Sequence, residues 1–198
     1  MGIELEYKYR VPDAETLERV LAAAPDHART LGAVERVEMR TTYFDSLSGA
    51  FSARRWTLRL RTENGAPVVT LKTPRPDGAA GEWESPCESV EAAVPALLAQ
   101  GAPEQLAEFV REGLREVCTA AFVRRAQLLK LPDGSLCELA ADLGELCGRT
   151  QREKLCELEL ELKRGAPEQT RRLGERLCAE FGLRIEKLSK FARARALK

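Results

Sequence analysis

The stretch LCELELELK, residues 155–163, alternates apolar and charged side chains from Cys156 to Lys163. Successive side chains of a β-strand point to opposite faces, so Glu157, Glu159, Glu161 and Lys163 share one face of this strand. Three glutamates on one face lie roughly 7 Å apart, close enough to repel one another unless a cation lies among them. The stretch therefore predicts a strand with one densely acidic face and one apolar face.

The same alternation opens the chain and returns along it. In IELEYKYR, residues 3–10, the even positions are charged and the odd positions are apolar or aromatic. Asn64-Gly65 and Asp133-Gly134 are typical of hairpin turns between such strands. Similar alternation predicts strands at 37–45, 56–63, 67–73, 82–85, 121–131 and 135–143.

Helical periodicity lies between these strands and predicts helices at 13–24, 90–99, 103–118, 167–182 and 188–197. The segment 74–82 is rich in proline and glycine and is expected to be a mobile loop. No repeat or long linker interrupts the pattern. About eight strands joined mostly by short turns predict a single α+β domain over residues 1–198, built on an antiparallel sheet.

Composition excludes several classes of function. The chain is 44% hydrophobic and 31% charged, and its 31 basic residues balance its 31 acidic ones. Net charge therefore gives no reason to expect a nucleic-acid partner. No apolar run approaches the roughly 20 residues that span a bilayer. The N-terminal residues lack the apolar region of a signal peptide, so we expect a cytoplasmic protein.

The charged strand faces allow two interpretations. They are either the solvated side of an ordinary antiparallel sheet or the lining of a polar interior. The signs of the charges differ between strands, with carboxylates in the first and last strands and Arg59, Arg61 and Lys72 in the middle ones. Carboxylates suit Mg²⁺ or Mn²⁺, and arginine and lysine suit phosphate oxygens. A polar interior of this kind would thus fit a ligand that consists of several linked phosphates together with a divalent metal ion. The sequence has neither of the glycine-rich phosphate-binding motifs GxxxxGK[ST] and GxGxxG.

A family resemblance favours the polar interior. Glu4-x-Glu6-x-Lys8 resembles the ExExK signature of the CYTH superfamily, the triphosphate tunnel metalloenzymes. TLRLRTENG (57–65) and TLK (70–72) are similar to the family's RxR strand and its following lysine strand. Later family blocks follow in the same order, namely FVRR (122–125), ELAADLG (138–144), CELELELKRG (156–165) and LSKFARA (188–194). The resemblance extends from residue 3 to residue 197.

The resemblance implies a fold and a set of site residues. The fold is a closed antiparallel eight-stranded β-barrel with a charged interior and helices packed outside. The implied metal ligands are Glu4, Glu6, Glu82, Asp142, Glu157 and Glu159. The implied contacts to the triphosphate are Lys8, Arg59, Arg61, Lys72, Arg124 and Lys190, with Arg193 as a possible companion. The residues implied to be catalytic are Glu4, Glu6, Lys8, Arg59, Arg61, Lys72, Arg124 and Lys190.

Two of these assignments stay open. Ala80 stands where the family usually has an arginine two residues before the glutamate, so Glu84 remains an alternative to Glu82. Arg125, beside Arg124, makes the choice of arginine in that strand ambiguous.

The blocks look most like those of bacterial inorganic triphosphatases. They imply hydrolysis of inorganic tripolyphosphate to pyrophosphate and phosphate, with Mg²⁺ or Mn²⁺ and two ions expected. The alternatives are a thiamine triphosphatase, a nucleoside triphosphatase, a class IV adenylyl cyclase and a non-catalytic module that binds polyphosphate or nucleotide. The expected partner is a small-molecule triphosphate, and the protein could be a monomer or a homodimer.

Overall fold

Nine β-strands form one antiparallel sheet in a computed structural model that describes residues 5–74 and 80–197. The strands run in the order β5-β4-β3-β2-β6-β7-β8-β1-β9 across the sheet. Their bounds are β1 Leu5–Arg10, β2 Arg29–Ser46, β3 Thr57–Glu63, β4 Ala66–Pro74, β5 Ala80–Ser85, β6 Leu114–Lys130, β7 Leu136–Cys147, β8 Arg152–Arg164 and β9 Arg184–Ile185. An α+β fold on an antiparallel sheet is therefore confirmed.

Six helices accompany the sheet in the same part of the chain. They are α1 Ala14–His27, α2 Ala50–Ala53, α3 Val90–Ala99, α4 Gln105–Arg111, α5 Pro167–Phe181 and α6 Lys190–Ala196. Side-chain caps begin three of them: Asp13, Ser89 and Ser189 accept hydrogen bonds from backbone N–H groups three residues later. None of these helices is long and apolar enough to cross a membrane.

The sheet is not closed by hydrogen bonds between described residues, because β5 and β9 each have a strand neighbour on one side only. A closed barrel is therefore not confirmed. Nine strands also replace the expected eight, since the two-residue β9 pairs with β1 through Tyr9–Ile185 and Arg10–Arg184. Most of the loop expected to be mobile, residues 75–79, lies outside the described residues.

One predicted helix is wrong over its second half. The pattern at 103–118 predicts a single helix, but α4 ends at Arg111 and β6 begins at Leu114. Gly113 separates them with a φ of 105°, in the left-handed region where glycine is favoured. From there Leu114 to Cys118 pair with β2, so strand pairing overrides the local helical pattern.

The outer face of the sheet is apolar and is covered by two pairs of helices. Leu158 and Leu160 of β8 pack in one buried cluster with side chains of α1 and α5, including Leu17 and Leu173. A second cluster joins β3, β4 and β5 to α3 and α4, and its members include Leu58, Leu71, Trp83, Leu97 and Leu106. Because the apolar phase of each strand is buried here, the charged phase faces the opposite, inner side.

Helix α6 departs from the prediction that the helices pack outside. Its Phe191 and Ala194, together with Leu197 just after the helix, pack against inner-face side chains of β2 and β6 to β8, which are Met39, Tyr43, Cys118, Ala120, Phe122, Leu146 and Leu155. The rings of Tyr43 and Phe191 lie 5.0 Å apart between centroids. The inner face is therefore charged along one part and apolar where α6 covers it. This arrangement brings the polar side chains of α6 to the charged part.

Candidate active site

A charged cavity lies on the inner face, lined by strands from both halves of the sheet and by α6. Glu6 and Lys8 of β1 line it together with Arg59, Arg61 and Lys72 of the middle strands. The other lining residues are Met39, Thr41, Tyr43, Thr57, Phe122, Arg124, Glu159, Ser189, Lys190 and Phe191. The sheet is therefore curved enough for β1 and β4 to contribute to the same space, although they lie far apart in the strand order.

One wall of the cavity is cationic and consists of Arg59, Arg61 and Lys72, which we call the cationic wall. Nη2 of Arg59 lies 3.6 Å from Oε1 of Glu82, and Nζ of Lys72 lies 3.1 Å from the same oxygen. Nη2 of Arg61 lies 2.7 Å from Oε1 of Glu63. Burial, followed by the nearby Arg59, lowers the pKa of Arg61. Three cations thus line one side of the cavity, each within ion-pair distance of a glutamate.

Two guanidinium donors of this wall lack a partner. Nε of Arg59 and Nε of Arg61 are both buried and have no hydrogen-bond acceptor in the described part of the protein. A buried donor left without an acceptor is costly, by about 1–3 kcal/mol. Phosphate oxygens are acceptors that arginine binds well, often in a bidentate manner. The wall therefore has unused capacity to bind an anion.

Three buried carboxylates form an acidic triad on the β7–β8 side of the cavity. Asp142 of β7 is paired in register with Glu157 of β8, and Glu159 lies two residues further along the inner face of β8. Each of the three offers an oxygen, and these oxygens all lie within 4.8 Å of one another. The acidic strand that the sequence singles out thus faces inward.

Two cations hold the acidic triad together. Arg124 of β6 donates from Nε to Oδ1 of Asp142 at 2.8 Å and from Nη2 to Oδ2 at 2.7 Å, and it also donates to Glu159. Lys190 of α6 lies among all three carboxylates, 2.9 Å from Asp142 and 2.6 Å from Glu159. Its third partner is Glu157. The ammonium group thus occupies the centre of the triad.

The pKa values of the two glutamates of the triad are shifted in opposite directions. Burial raises the pKa of Glu157 to about 7, against the attraction of Lys190 and with a further contribution from Glu159. Burial would also raise the pKa of Glu159, but Lys190 and Arg124 outweigh it and hold that pKa below its usual range. In turn the carboxylates raise the pKa of Lys190, although burial acts against them. The neighbouring cations therefore favour the ionised form of Glu159, whereas burial favours the protonated form of Glu157.

The acidic triad fits a divalent cation by its donor set. Three carboxylates supply oxygen ligands of the kind that Mg²⁺ and Mn²⁺ prefer, and a +2 ion would offset charge that Lys190 and Arg124 offset in this structure. Glu6 of β1 lies on the same cavity, and Nζ of Lys8 lies 3.2 Å from its Oε1. Glu4 lies outside the described residues, so its predicted role as a ligand stays a prediction.

Glu82, expected to be a metal ligand, lies elsewhere in the inner face. It contacts Arg59 and Lys72 of the cationic wall and does not belong to the group of carboxylates formed by the triad. Glu84, its alternative, accepts a hydrogen bond from Oγ1 of Thr70 at 2.9 Å and approaches both arginines of the wall. The structure therefore places both glutamates beside phosphate-binding candidates.

The neighbours Arg124 and Arg125 point to opposite faces of β6. Arg124 lines the cavity and holds the triad. Arg125 donates from both terminal nitrogens to Glu18 of α1, each at 2.6 Å, on the outer face. Of the two, only Arg124 is placed to contact a ligand in the cavity.

Several cavity residues were missed by the sequence reasoning. Tyr43 and Phe122 line the cavity beside the cations, and Nζ of Lys190 lies 5.3 Å from the centroid of the Phe122 ring. Strand parity could have found them, since Tyr43 shares the phase of Thr41 and Phe122 that of Arg124. Outside the cavity lining, Arg10 and Glu186 form an ion pair, and Glu186 also lies near Arg193, a partner of the triad. No local sequence signal marks Glu186.

The sequence matches the CYTH domain over residues 2–194, nearly the whole chain.

Among solved structures, HpAC1 of Hippeastrum superimposes with a TM-score of 0.62 at 20% identity, covering 98% of this chain and 96% of that one. It is described as having a dominant triphosphatase activity. An adenylate cyclase candidate from Bacillus halodurans gives a TM-score of 0.61 at 18% identity, with 97% of each chain covered. PH1819 of Pyrococcus horikoshii gives 0.57 at 19% identity, covering 96% of this chain and 97% of that one. At these identities the likeness establishes the fold alone.

Proposed function

The chain belongs to the CYTH domain family, and we propose that it is a metal-dependent triphosphatase whose substrate is inorganic tripolyphosphate. The hydrolysis would give pyrophosphate and phosphate. The triphosphatase activity described for HpAC1 supports the reaction type. The choice of tripolyphosphate rests on the sequence blocks most similar to those of bacterial inorganic triphosphatases.

One observation carries the proposal: the cationic wall and the acidic triad lie in one cavity. A triphosphate needs donors for its oxygens, and Arg59 and Arg61 have buried Nε groups with no other acceptor among the described residues. A triphosphate substrate would also bind together with a divalent metal ion, and three buried carboxylates offer ligands for such an ion. A triphosphate lying between the two groups would pair its oxygens with the cationic wall, and the metal ion bound to it would offset the negative charge of the triad.

The wall residues would bind and orient the phosphates. Arg59, Arg61 and Lys72 would donate to non-bridging oxygens, with Lys8 adding a contact from β1. Charge grows on such oxygens and on the leaving group during phosphoryl transfer, so preorganised donors stabilise the transition state. Arg124 and Lys190 would donate to the same oxygens from the triad's side of the cavity, with Arg193 close behind in α6.

The triad would hold the metal, with Glu6 and Glu4 as further candidates and Glu82 as a ligand nearer the wall. A bound Mg²⁺ or Mn²⁺ would neutralise phosphate charge and lower the pKa of an attacking water. The water oxygen bonds to the terminal phosphorus as the bond to the bridging oxygen breaks, and pyrophosphate leaves with that oxygen. The proton of the water passes to a carboxylate of the cavity.

The curved sheet would serve as a tunnel around the substrate. Hydrogen bonds do not join its two edges within the described residues, but side chains of β1, β3, β4 and β8 line the same cavity. A barrel closed by side chains and by the bound ligand would exclude water from the phosphates, which strengthens every ionic contact inside it.

A phosphate-release assay tests the proposal directly. Purified protein would be given tripolyphosphate, ATP or thiamine triphosphate with Mg²⁺ or Mn²⁺, and again with EDTA. We expect metal-dependent release that is fastest from tripolyphosphate. Release from none of the three would favour a binding module and refute the enzyme. Release from a nucleotide or thiamine compound alone would refute the substrate, and formation of a cyclic nucleotide from ATP would indicate a cyclase.

A further inference from the structure

We propose that Glu186 and Arg10 are positioning residues that fix α6, and through it Arg193 and Lys190, against the acidic triad. This inference rests on the proposed function, because it concerns how the same site is held. Arg10 continues the charged phase of β1 beyond Lys8, and Glu186 lies in the short segment between β9 and α6. Neither side chain lines the cavity at the cationic wall.

Glu186 ties the start of α6 to β1 through both backbone and side chain. Its backbone N–H donates to the carbonyl oxygen of Lys8 at 2.8 Å. Its Oε1 accepts from the backbone N–H of Leu188 at 2.8 Å, two residues before α6 begins, and its Oε2 accepts from Nε of Arg10. Only 7% of Glu186 is exposed. These contacts fix where the helix enters the inner face.

Arg193 carries the connection from this ion pair to the triad. It lies one helical turn after Lys190, is buried, and donates from Nη1 to Oε2 of Glu157 at 2.8 Å and from Nη2 to Oε1 of Glu153 at 2.5 Å. Its Nε lies 3.8 Å from Oε2 of Glu186. Nη1 of Arg10 lies 3.7 Å from the same oxygen of Glu153. Two arginines and two glutamates thus alternate around one small network.

Charge balance explains why Glu186 should affect Glu157. With Glu186 ionised, the two carboxylates of the network neutralise its two guanidinium groups, and Arg193 still donates to Glu157 at the triad. Without that charge, Arg10 and Arg193 repel each other with one fewer anion between them. Removing one partner from a buried ionic network is strongly unfavourable, so the side chains would rearrange. Groups that orient a metal ligand commonly change metal affinity 10–100-fold when they are removed.

The test measures Mn²⁺ binding to substrate-free protein by electron paramagnetic resonance, together with steady-state kinetics on tripolyphosphate. Glu186→Gln keeps the shape of the side chain and removes its charge. Arg10→Gln removes the same ion pair by changing Arg10, whose side chain is half-exposed. It keeps the test possible if Glu186→Gln, a change at a buried residue, prevents folding. Glu18→Gln is the matched control, because it also breaks a carboxylate–guanidinium pair, that with Arg125 on the outer face.

We expect Glu186→Gln and Arg10→Gln each to raise the Mn²⁺ dissociation constant about 10-fold and to lower kcat more than they raise KM. Glu18→Gln should leave both quantities within twofold of the wild type. Equal Mn²⁺ affinity in all folded variants would overturn the inference, as would a failure of the wild-type protein to bind Mn²⁺. Binding by the wild type without hydrolysis of any triphosphate would instead refute the proposed function, while the affinity comparison would still decide the role of Glu186.

Discussion

Arg124 lies where the two charged parts of the cavity meet. It donates to two carboxylates of the triad, and its positive charge also contributes to lowering the pKa of Arg61 in the cationic wall. The carboxylates in turn raise its own pKa despite burial. A ligand between the wall and the triad would therefore lie beside Arg124.

Arg124→Gln tests this position at the scale of one residue. It removes a donor for phosphate and a partner of Asp142 and Glu159, so we expect kcat/KM for tripolyphosphate to fall about 100-fold, equivalent to ~2.7 kcal/mol of transition-state stabilisation. Arg125→Gln, on the opposite face of the same strand, should change kcat/KM less than twofold. Equal losses in the two variants would show that Arg124 acts only through the sheet.

Glu159→Gln tests the triad as a metal site. The amide keeps the volume of the side chain but loses the charge that attracts a divalent cation, so metal-dependent phosphate release should fall at least about 100-fold and Mn²⁺ binding should weaken. Glu145→Gln is the control, since Glu145 pairs with Arg152 at the exposed end of β7 and β8. Normal metal dependence in Glu159→Gln would contradict the assignment.

The sequence predicts single residues well where strand parity decides them. Parity places Glu157 and Glu159 on one face of β8, because alternate side chains of a strand share a face, but it does not decide that this face looks inward. The inward direction and the assignment of Arg124 follow from the family resemblance. Parity could not find Glu186, because its contacts with Arg10 and Leu188 depend on how β9 pairs with β1. Nor could it show that Lys190 lies inside the triad, since that depends on where α6 packs.

Elements were harder to predict where tertiary pairing competes with local pattern. The caps at Asp13 and Ser89 and the hairpin at Asn64-Gly65 follow from local chemistry, and both turn residues have positive φ, 49° and 88°. Helix α4 is shorter than its pattern because β6 pairs with β2 from Leu114 onward. Helix α6 packs on the inner face because its Phe191 and Ala194 meet apolar side chains that the charged pattern does not mark.

The contact between α5 and β1 gives a test at the element scale. A Cβ added to Gly174 of α5 would lie 1.9 Å from Oη of Tyr9 and 2.7 Å from its Cζ, and Tyr9 is buried. Gly174→Ala should therefore lower the free energy of unfolding by about 1–3 kcal/mol, although alanine favours the helix. The measurement is denaturation in urea. Adding Tyr9→Phe should recover part of the loss, and a stabilised single variant would contradict the close packing.

At the scale of the whole molecule, the strand order brings distant parts of the chain to one cavity. β1 joins β8 and β2 joins β6, so β1 and β8 supply carboxylates opposite the cations of β3 and β4. A ligand bound there would link both halves of the sheet. The whole arrangement could be predicted only through the family resemblance, because strand pairing between distant segments leaves no local signal.

Ligand binding should therefore stabilise the whole fold. Tripolyphosphate binds the native state alone in this account, and a concentration 100 times its dissociation constant would add about 2.7 kcal/mol. The midpoint of thermal unfolding should rise with tripolyphosphate in EDTA and should rise less with orthophosphate at equal concentration. An unchanged midpoint, or the same rise in an Arg59→Gln/Arg61→Gln variant, would contradict binding at the cationic wall.

We propose that tripolyphosphate is cleaved at its terminal anhydride within the charged cavity. Phosphorus-31 NMR of the wild-type protein with tripolyphosphate and Mg²⁺ follows every product at once. We expect equal amounts of pyrophosphate and orthophosphate from the wild type, and a rate at least about 100-fold lower from Arg59→Gln/Arg61→Gln. Unchanged tripolyphosphate with the wild type, or equally fast cleavage by the double variant, would contradict it.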